Sequence, residues 1–270
     1  MGIYLKKFEN HTLYDSYING GDAILPNVSI YTTEEDVHYN SYVLETMVVA
    51  KYNVTSTSSP TPLRTSFESN IFKSMEIDGV MLDELVTEYT FDTTGEHTVK
   101  YELYDETKLG NNAPVFYNSN LVEIIIPNSV TSICTNALLN CSGLTSCIIG
   151  SGVTSIGQAV FANCSSLTSI DIPDSVTFIS NGAFDVCTGL TSVTIGNSVT
   201  SIGDNAFSRC SSLTSIVCNA MIAPTIQSDT FYDVKIGGTL TVPAGSTGYD
   251  VWMGTSIYYL GSYSWTKVEQ

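Results

Sequence analysis

The chain has 270 residues, 43% of them hydrophobic, which is enough to bury cores in two modest domains. It holds 27 acidic residues against 10 basic ones, a formal net charge of −17. That balance argues against a nucleic-acid partner or an anionic membrane surface, both of which need clustered Lys or Arg.

Residues 1–44 read as a lead-in or adaptor segment. Phe8, Leu13, Tyr14 and Tyr17 suggest a short amphipathic helix over HTLYDSYIN, followed by an extended stretch, AILPNVSIYTT. The opening MGIYLKKFENHTLYDSY has two lysines with no apolar run behind them, so no secretory signal is read and a signal-less chain is expected. No run is long and apolar enough for a spanning helix, and direct membrane insertion is not expected.

From 45 to 107 the pattern is alternating strands: LETMVVAKYNVTS, SNIFKSMEIDG, ELVTEYTFDTT and HTVKYELYD, with turns at 58–62, Asp78-Gly79 and Thr94-Gly95. Such spacing predicts a small antiparallel β-sandwich of Ig-like character, without the Ig cysteine pair and with its topology open. Residues 108–120 read as a degenerate opening unit of a repeat array, with Leu109 in an Ile position and Asn118 in a Cys position.

Over 121–212 one 23-residue unit is written four times. Each copy opens on a Leu (Leu121, Leu144, Leu167, Leu190, with Leu213 starting a fifth) and continues with apolar residues at plus three and plus five, such as Ile170 with Ile172 or Val193 with Ile195. That alternation is a short strand with one buried face. Pro127, Gly150, Pro173 and Gly196 end the strands. A second apolar pair comes next, as in Val176 with Ile179, and then Ala-Phe with a Cys three residues on, which reads as one turn of α or 3₁₀ helix. Cys141, Cys164, Cys187 and Cys210 keep the period, as do Phe161, Phe184 and Phe207. A three-sided unit of this length has no private core, so its buried columns are satisfied only by stacking, and a solenoid is expected.

The period breaks after Cys218: a stretched exit unit occupies 213–246 and an aromatic C-terminal cap 247–270. Trp252, Tyr258, Tyr259, Tyr263 and Trp265 in that tail are the candidate ligand contacts, as a sugar-stacking platform. The competing reading makes them the plug over the last repeat, because an uncapped end aggregates.

The leading Leu, the SIxIP strand, the SVTSIG turn and the AFxxC segment resemble the BspA-like leucine-rich repeat family, closely over 121–212 and loosely to about 246. The resemblance implies a mainly β fold, a short leucine-rich-repeat solenoid C-terminal to the sandwich. It also implies a bacterial protein at the cell surface or outside the cell, adhering to host- or matrix-derived protein or glycan. The lead-in resembles the openings of phage tail-associated proteins, which implies a virion component as the alternative.

No chemistry competes with binding. His11, His38 and His97 all lie outside the repeats, so neither a hydrolase triad nor a zinc site is assembled. Asp83-Glu84 and Glu34-Glu35-Asp36 read as solvated turn charges, and Asp171, Asp174, Asp185 and Asp204 share no repeated ligand position for Ca²⁺. No cofactor, metal or catalytic residue is expected, and a glycan-active enzyme is the outsider. The cysteine ladder reads as buried thiols, since side chains in a parallel ladder point the same way and do not meet in a disulfide. Within 121–212 only five acidic residues and Arg209 interrupt outward Ser and Thr such as Thr131-Ser132, Thr154-Ser155 and Thr200-Ser201. Those hydroxyl ladders are suited to hydrogen-bonding along the stack or to glycans.

Overall fold

The computed structural model describes residues 47–64, 71–110, 113–117, 120–227, 229–255 and 258–270. The lead-in 1–44, with its expected helix and extended stretch, and the Cys-position Asn118 lie outside the described residues.

Six strands precede the repeats: β1 (Met47–Val54), β2 (Thr61–Pro62), β3 (Phe72–Ile77), β4 (Val80–Met81), β5 (Glu88–Tyr89) and β6 (Gly95–Leu103). β1 pairs antiparallel with β6, β6 with β3, and β3 with β4. One face carries Val48, Ala50, Tyr52 and Val54 from β1 and Val99, Tyr101 and Leu103 from β6, all buried. A register shift between Phe72 and Ser74 lets Phe72, Met75 and Ile77 share that face despite their uneven spacing. The two-layer Ig-like sandwich expected here is not found among the described residues, where, of these six strands, β2 and β5 pair with each other outside the sheet. The apolar face lies instead against the segment that opens the solenoid: Phe116 sits 5.9 Å from Phe72 and 5.4 Å from Tyr101, ring centre to ring centre. Tyr52 and Tyr101 keep their hydroxyls satisfied in this core by bonding each other and the carbonyl of Leu63.

The sheet does not stop at the repeats. The first repeat strand, β8 (Leu121–Ile126), pairs antiparallel with β1, and β10 (Ser146–Ile149) then pairs parallel with β8. Lys51 fastens this seam by reaching Glu123 at 3.3 Å and Glu96 at 3.5 Å.

Each coil contributes a strand to two sides. Side one continues as β12 (Ser169–Ile172), β14 (Ser192–Ile195), β16 (Ser215–Cys218), β17 (Thr239–Val242) and β18 (Thr266–Glu269), all parallel. Side two is a parallel row of two-residue strands: β7 (Lys108–Leu109), β9 (Ser132–Ile133), β11 (Ser155–Ile156), β13 (Phe178–Ile179) and β15 (Ser201–Ile202). Leu109 pairs in register with Ile133, the place its spacing predicts. The columns of Leu, Ile, Phe and Cys are buried in one continuous core. Each such Leu or Ile contributes about 1.5–3 kcal/mol over an exposed one.

The third side is not the helical turn expected from its length. It is a run of i to i−3 turns, such as Cys164 N–H to Phe161 O, broken in every coil by left-handed residues. Asn136 and Asn140, Ala159 and Asn163, Gly182 and Val186, and Asn205 and Arg209 all have φ between 52° and 63°. A helix would close its N–H groups on itself, whereas here every second N–H points forward to the next coil: Asn163 to Asp185 O, Val186 to Ser208 O, Arg209 to Tyr232 O.

Among the described residues no ladder joins β10 to β12, so side one is cut after the second coil. Cys147 stands where other coils place Ile170, Val193 or Ile216, and it leaves a hollow lined by Cys147, Ile148, Ile149, Asp171, Ile172 and Pro173.

Candidate functional site

The surface ladders are satisfied along the stack. On side two the hydroxyls of Thr131, Thr154, Thr177, Thr200 and Thr225 each donate to a carbonyl of the preceding coil, at 3.0–3.3 Å. Thr145, Thr191 and Thr214 do the same on side one. With those protons committed, what the threonines offer outward is lone pairs and methyl groups.

On side two the serine column is interrupted. The side-two register aligns Ser132, Ser155, Phe178 and Ser201, so Phe178 replaces a serine in an otherwise hydroxyl column and is 40% exposed. It lines a groove of about 460 Å³ with Asn181, Ser201, Gly203, Asp204, Gln227 and Asp229. The exit coil opens this groove, because Thr225 comes 25 residues after Thr200 where the earlier coils keep 23. Thr230 pins the wider loop: its hydroxyl donates to Gly203 O at 3.1 Å and accepts from Gln227 N at 2.9 Å. Gly203 forms the floor, where an added Cβ would stand 2.6 Å from the backbone nitrogen of Asn181. Asn181 Oδ1 accepts from Asp204 N and Asp204 Oδ2 from Asn205 Nδ2, which fixes the first carboxylate. The groove thus offers an aromatic face, two carboxylates, two amides and a hydroxyl, and none of its lining residues is basic. Phe178 was legible as a departure from the Thr-Ser-Ile triplet. Asp229 was not, because it depends on the lengthened loop.

The tail aromatics are placed differently from an open platform. Trp252 is fully buried and Trp265 nearly so, with their indole N–H groups given to Pro224 O at 2.9 Å and Lys235 O at 2.7 Å. Tyr258 meets Tyr232 edge-on at 4.7 Å, and Tyr258, Tyr259 and Tyr263 are half-buried. Tyr263 has a further role: its hydroxyl accepts the N–H of Asp233 at 2.9 Å, in the place where a further coil would supply a carbonyl.

The ladder residues are all interior. Leu144, Leu167, Leu190 and Leu213 are fully buried, and Phe161, Phe184 and Phe207 stack 5.1 and 5.2 Å apart with planes within 5°. Cys141, Cys164, Cys187 and Cys210 are buried thiols. Each donates to a backbone carbonyl of the preceding coil: Phe116, Leu138, Phe161 and Phe184 in turn. Burial pushes the Cys187 thiol up to about 12 and raises Cys164 and Cys210 as well. Thiols held protonated in an apolar wall are fillers and not nucleophiles.

His97, the one histidine among the described residues, hydrogen-bonds Asp78 at 2.6 Å through Nδ1, and Thr93 O at 3.0 Å and the Thr93 hydroxyl at 3.3 Å through Nε2, in a turn of the N-terminal sheet. Among the described residues no three metal-ligating side chains converge, and no helix is long and apolar enough to cross a membrane.

The BspA type Leucine rich repeat region matches in six copies across residues 107–237. Three solved structures are similar over part of their length. A leucine rich cell surface protein from Faecalibacterium prausnitzii is 38% identical over 41% of this chain and 31% of its own, with a TM-score of 0.38. The T. pallidum leucine rich repeat protein is 26% identical over 46% and 60%, with a TM-score of 0.40. A leucine-rich repeat protein from Bacteroides ovatus is 22% identical over 59% and 50%, with a TM-score of 0.39. The chain spans less than two thirds of the length of each, and no curated protein matches it. The six-copy match and the stacked, in-register coils place the repeat region of this chain in the BspA-type leucine-rich repeat family.

Proposed function

We propose that this chain is a non-enzymatic binding protein that presents side two of its solenoid to a protein or glycan ligand, in an adhesive role at a cell surface or outside the cell. The observation that carries the reading is Phe178, an aromatic side chain 40% exposed in a groove on a surface whose threonine hydroxyls are bonded along the stack. A single exposed apolar residue is ordinary on a protein surface, and Phe178 is set apart by standing in a serine column beside Asp204 and Asp229. In this reading residues 1–44 act as an adaptor and 247–270 close the stack. The test is a panel of immobilised glycans, mucins and matrix proteins probed with the full chain. Saturable binding to at least one is expected, and failure to bind any overturns the reading.

A second reading, a structural component of a virion or surface assembly, is favoured by β4. Its Val80 and Met81 are exposed at the sheet's outer edge, which no strand pairs among the described residues. Sedimentation of the full chain should then show oligomers, and a strict monomer argues against it.

A further inference from the structure

We infer that the groove around Phe178 receives an arginine side chain of a protein partner. This rests on the binding role proposed above and names the chemistry of its ligand.

Three features of the groove point the same way. Its one apolar side chain is the half-exposed Phe178, an aromatic ring of the kind that attracts a cation placed over its face. Beside the ring stand Asp204 and Asp229, with no lysine or arginine among the lining residues. Arg209, the one basic residue of 121–212, pairs instead with Asp185 at 3.7 Å on the third side. The whole chain adds to the local field, because a net charge of −17 raises the concentration of basic segments near its surface and repels acidic ones.

A guanidinium fits this set better than an ammonium. It is flat, so it lies on the Phe178 ring while its N–H groups, fixed in one plane, reach carboxylate and amide oxygens at the rim. Asn181 and Gln227 supply amide groups, and the threonine ladder beside them offers only acceptor lone pairs and methyls, which suits a donor-rich ligand. A neutral sugar would use the ring and the hydrogen bonds but leave the two charges unanswered.

The experiment is titration calorimetry of the full chain with tri-arginine, tri-lysine and tri-glutamate peptides and maltotriose, at low and physiological salt. Tri-arginine should bind more tightly than tri-lysine, weaken with salt, and leave tri-glutamate without signal. Phe178→Ser, which restores the residue of the neighbouring coils, should weaken tri-arginine by about 3- to 10-fold with the circular dichroism unchanged. Asp204→Asn and Asp229→Asn should each weaken it further, while Asp171→Asn on side one removes the same charge without effect. The inference is overturned if Phe178→Ser binds as the native chain does, or if Asp171→Asn weakens binding as much as Asp204→Asn. It is likewise overturned if maltotriose binds and tri-arginine does not, which would make the groove a saccharide site. A panel ligand that binds while tri-arginine fails removes the arginine assignment and leaves the binding role standing; an empty panel with tri-arginine bound removes the role and keeps the groove's chemistry.

Discussion

The ring of Phe231 ends the phenylalanine column against the indole of Trp252, with centres 5.3 Å apart and planes turned by 55°. Phe161, Phe184, Phe207 and Phe231 lie within 9° of parallel with their neighbours, so the tilt at Trp252 is where stacking stops and capping begins. Trp252→Ala should therefore cost about 3–5 kcal/mol, since it deletes a buried aromatic and opens the last coil to water. Urea denaturation measures the loss, and light scattering should show new self-association.

Phe184 has a ring on each side, whereas the same column in the first full coil is held by Leu138, also fully buried. Phe184→Ala should cost about 3–5 kcal/mol, but Phe184→Leu less than half of that, because the column already accommodates a leucine elsewhere. Equal losses for the two variants would mean that ring stacking, and not filled volume, sets the stability of the column.

Val186 holds φ = 60°, a conformation that a β-branched side chain adopts at a cost, in a column where the earlier coils place Asn140 and Asn163. Those two asparagines bond each other, Asn163 Nδ2 to Asn140 Oδ1 at 2.8 Å. Val186→Asn should relieve the strain and lengthen the asparagine row, adding about 1 kcal/mol. A higher thermal midpoint checks it, and a lower one shows that the valine packs more than it strains.

The thiols set an alkaline limit. Burial keeps Cys164, Cys187 and Cys210 protonated in the folded chain, Cys187 to about 12, whereas an unfolded chain releases those protons above about 8.5. A raised folded value means that their contribution is complete below the unfolded value and is lost as pH climbs toward the folded one, by up to about 1.4 kcal/mol per pH unit for each thiol. Denaturant midpoints should be flat near neutrality and fall above about pH 9. A thiol reagent should reach at most the half-buried Cys134 and Cys147 before unfolding and all seven cysteines after.

The stacked coils were legible because the 23-residue spacing acts directly on the fold: a Leu, Ile or Cys repeated at one interval can share an interior in only one register. The third side was misread because Ala-Phe with a Cys three residues on has the spacing of a helical turn. Sequence propensity does not register that each coil's N–H groups find carbonyls in the next coil and have no need to close locally. The second layer of the expected sandwich was not legible for a related reason. Alternation in β1, β3 and β6 fixes one buried face but not what covers it, and here the cover is Phe116 with the opening of the repeats. The tail aromatics are dense in the sequence, but density alone does not separate the two buried indoles, Trp252 and Trp265, from the half-buried Tyr258, Tyr259 and Tyr263. Phe178 was visible as an exception to Thr-Ser-Ile, yet its meaning depends on a loop two residues longer in the exit coil.

The forward-pointing N–H groups of the third side give the molecule a polarity along its axis. An unfinished coil would show donors at one end and acceptors at the other, so the two ends of separate copies would be complementary, and a chain trimmed at both would be a template for fibres. At the donor end the indole of Trp252 covers the last ring and the hydroxyl of Tyr263 occupies the N–H of Asp233, answering in one atom what another molecule would otherwise supply.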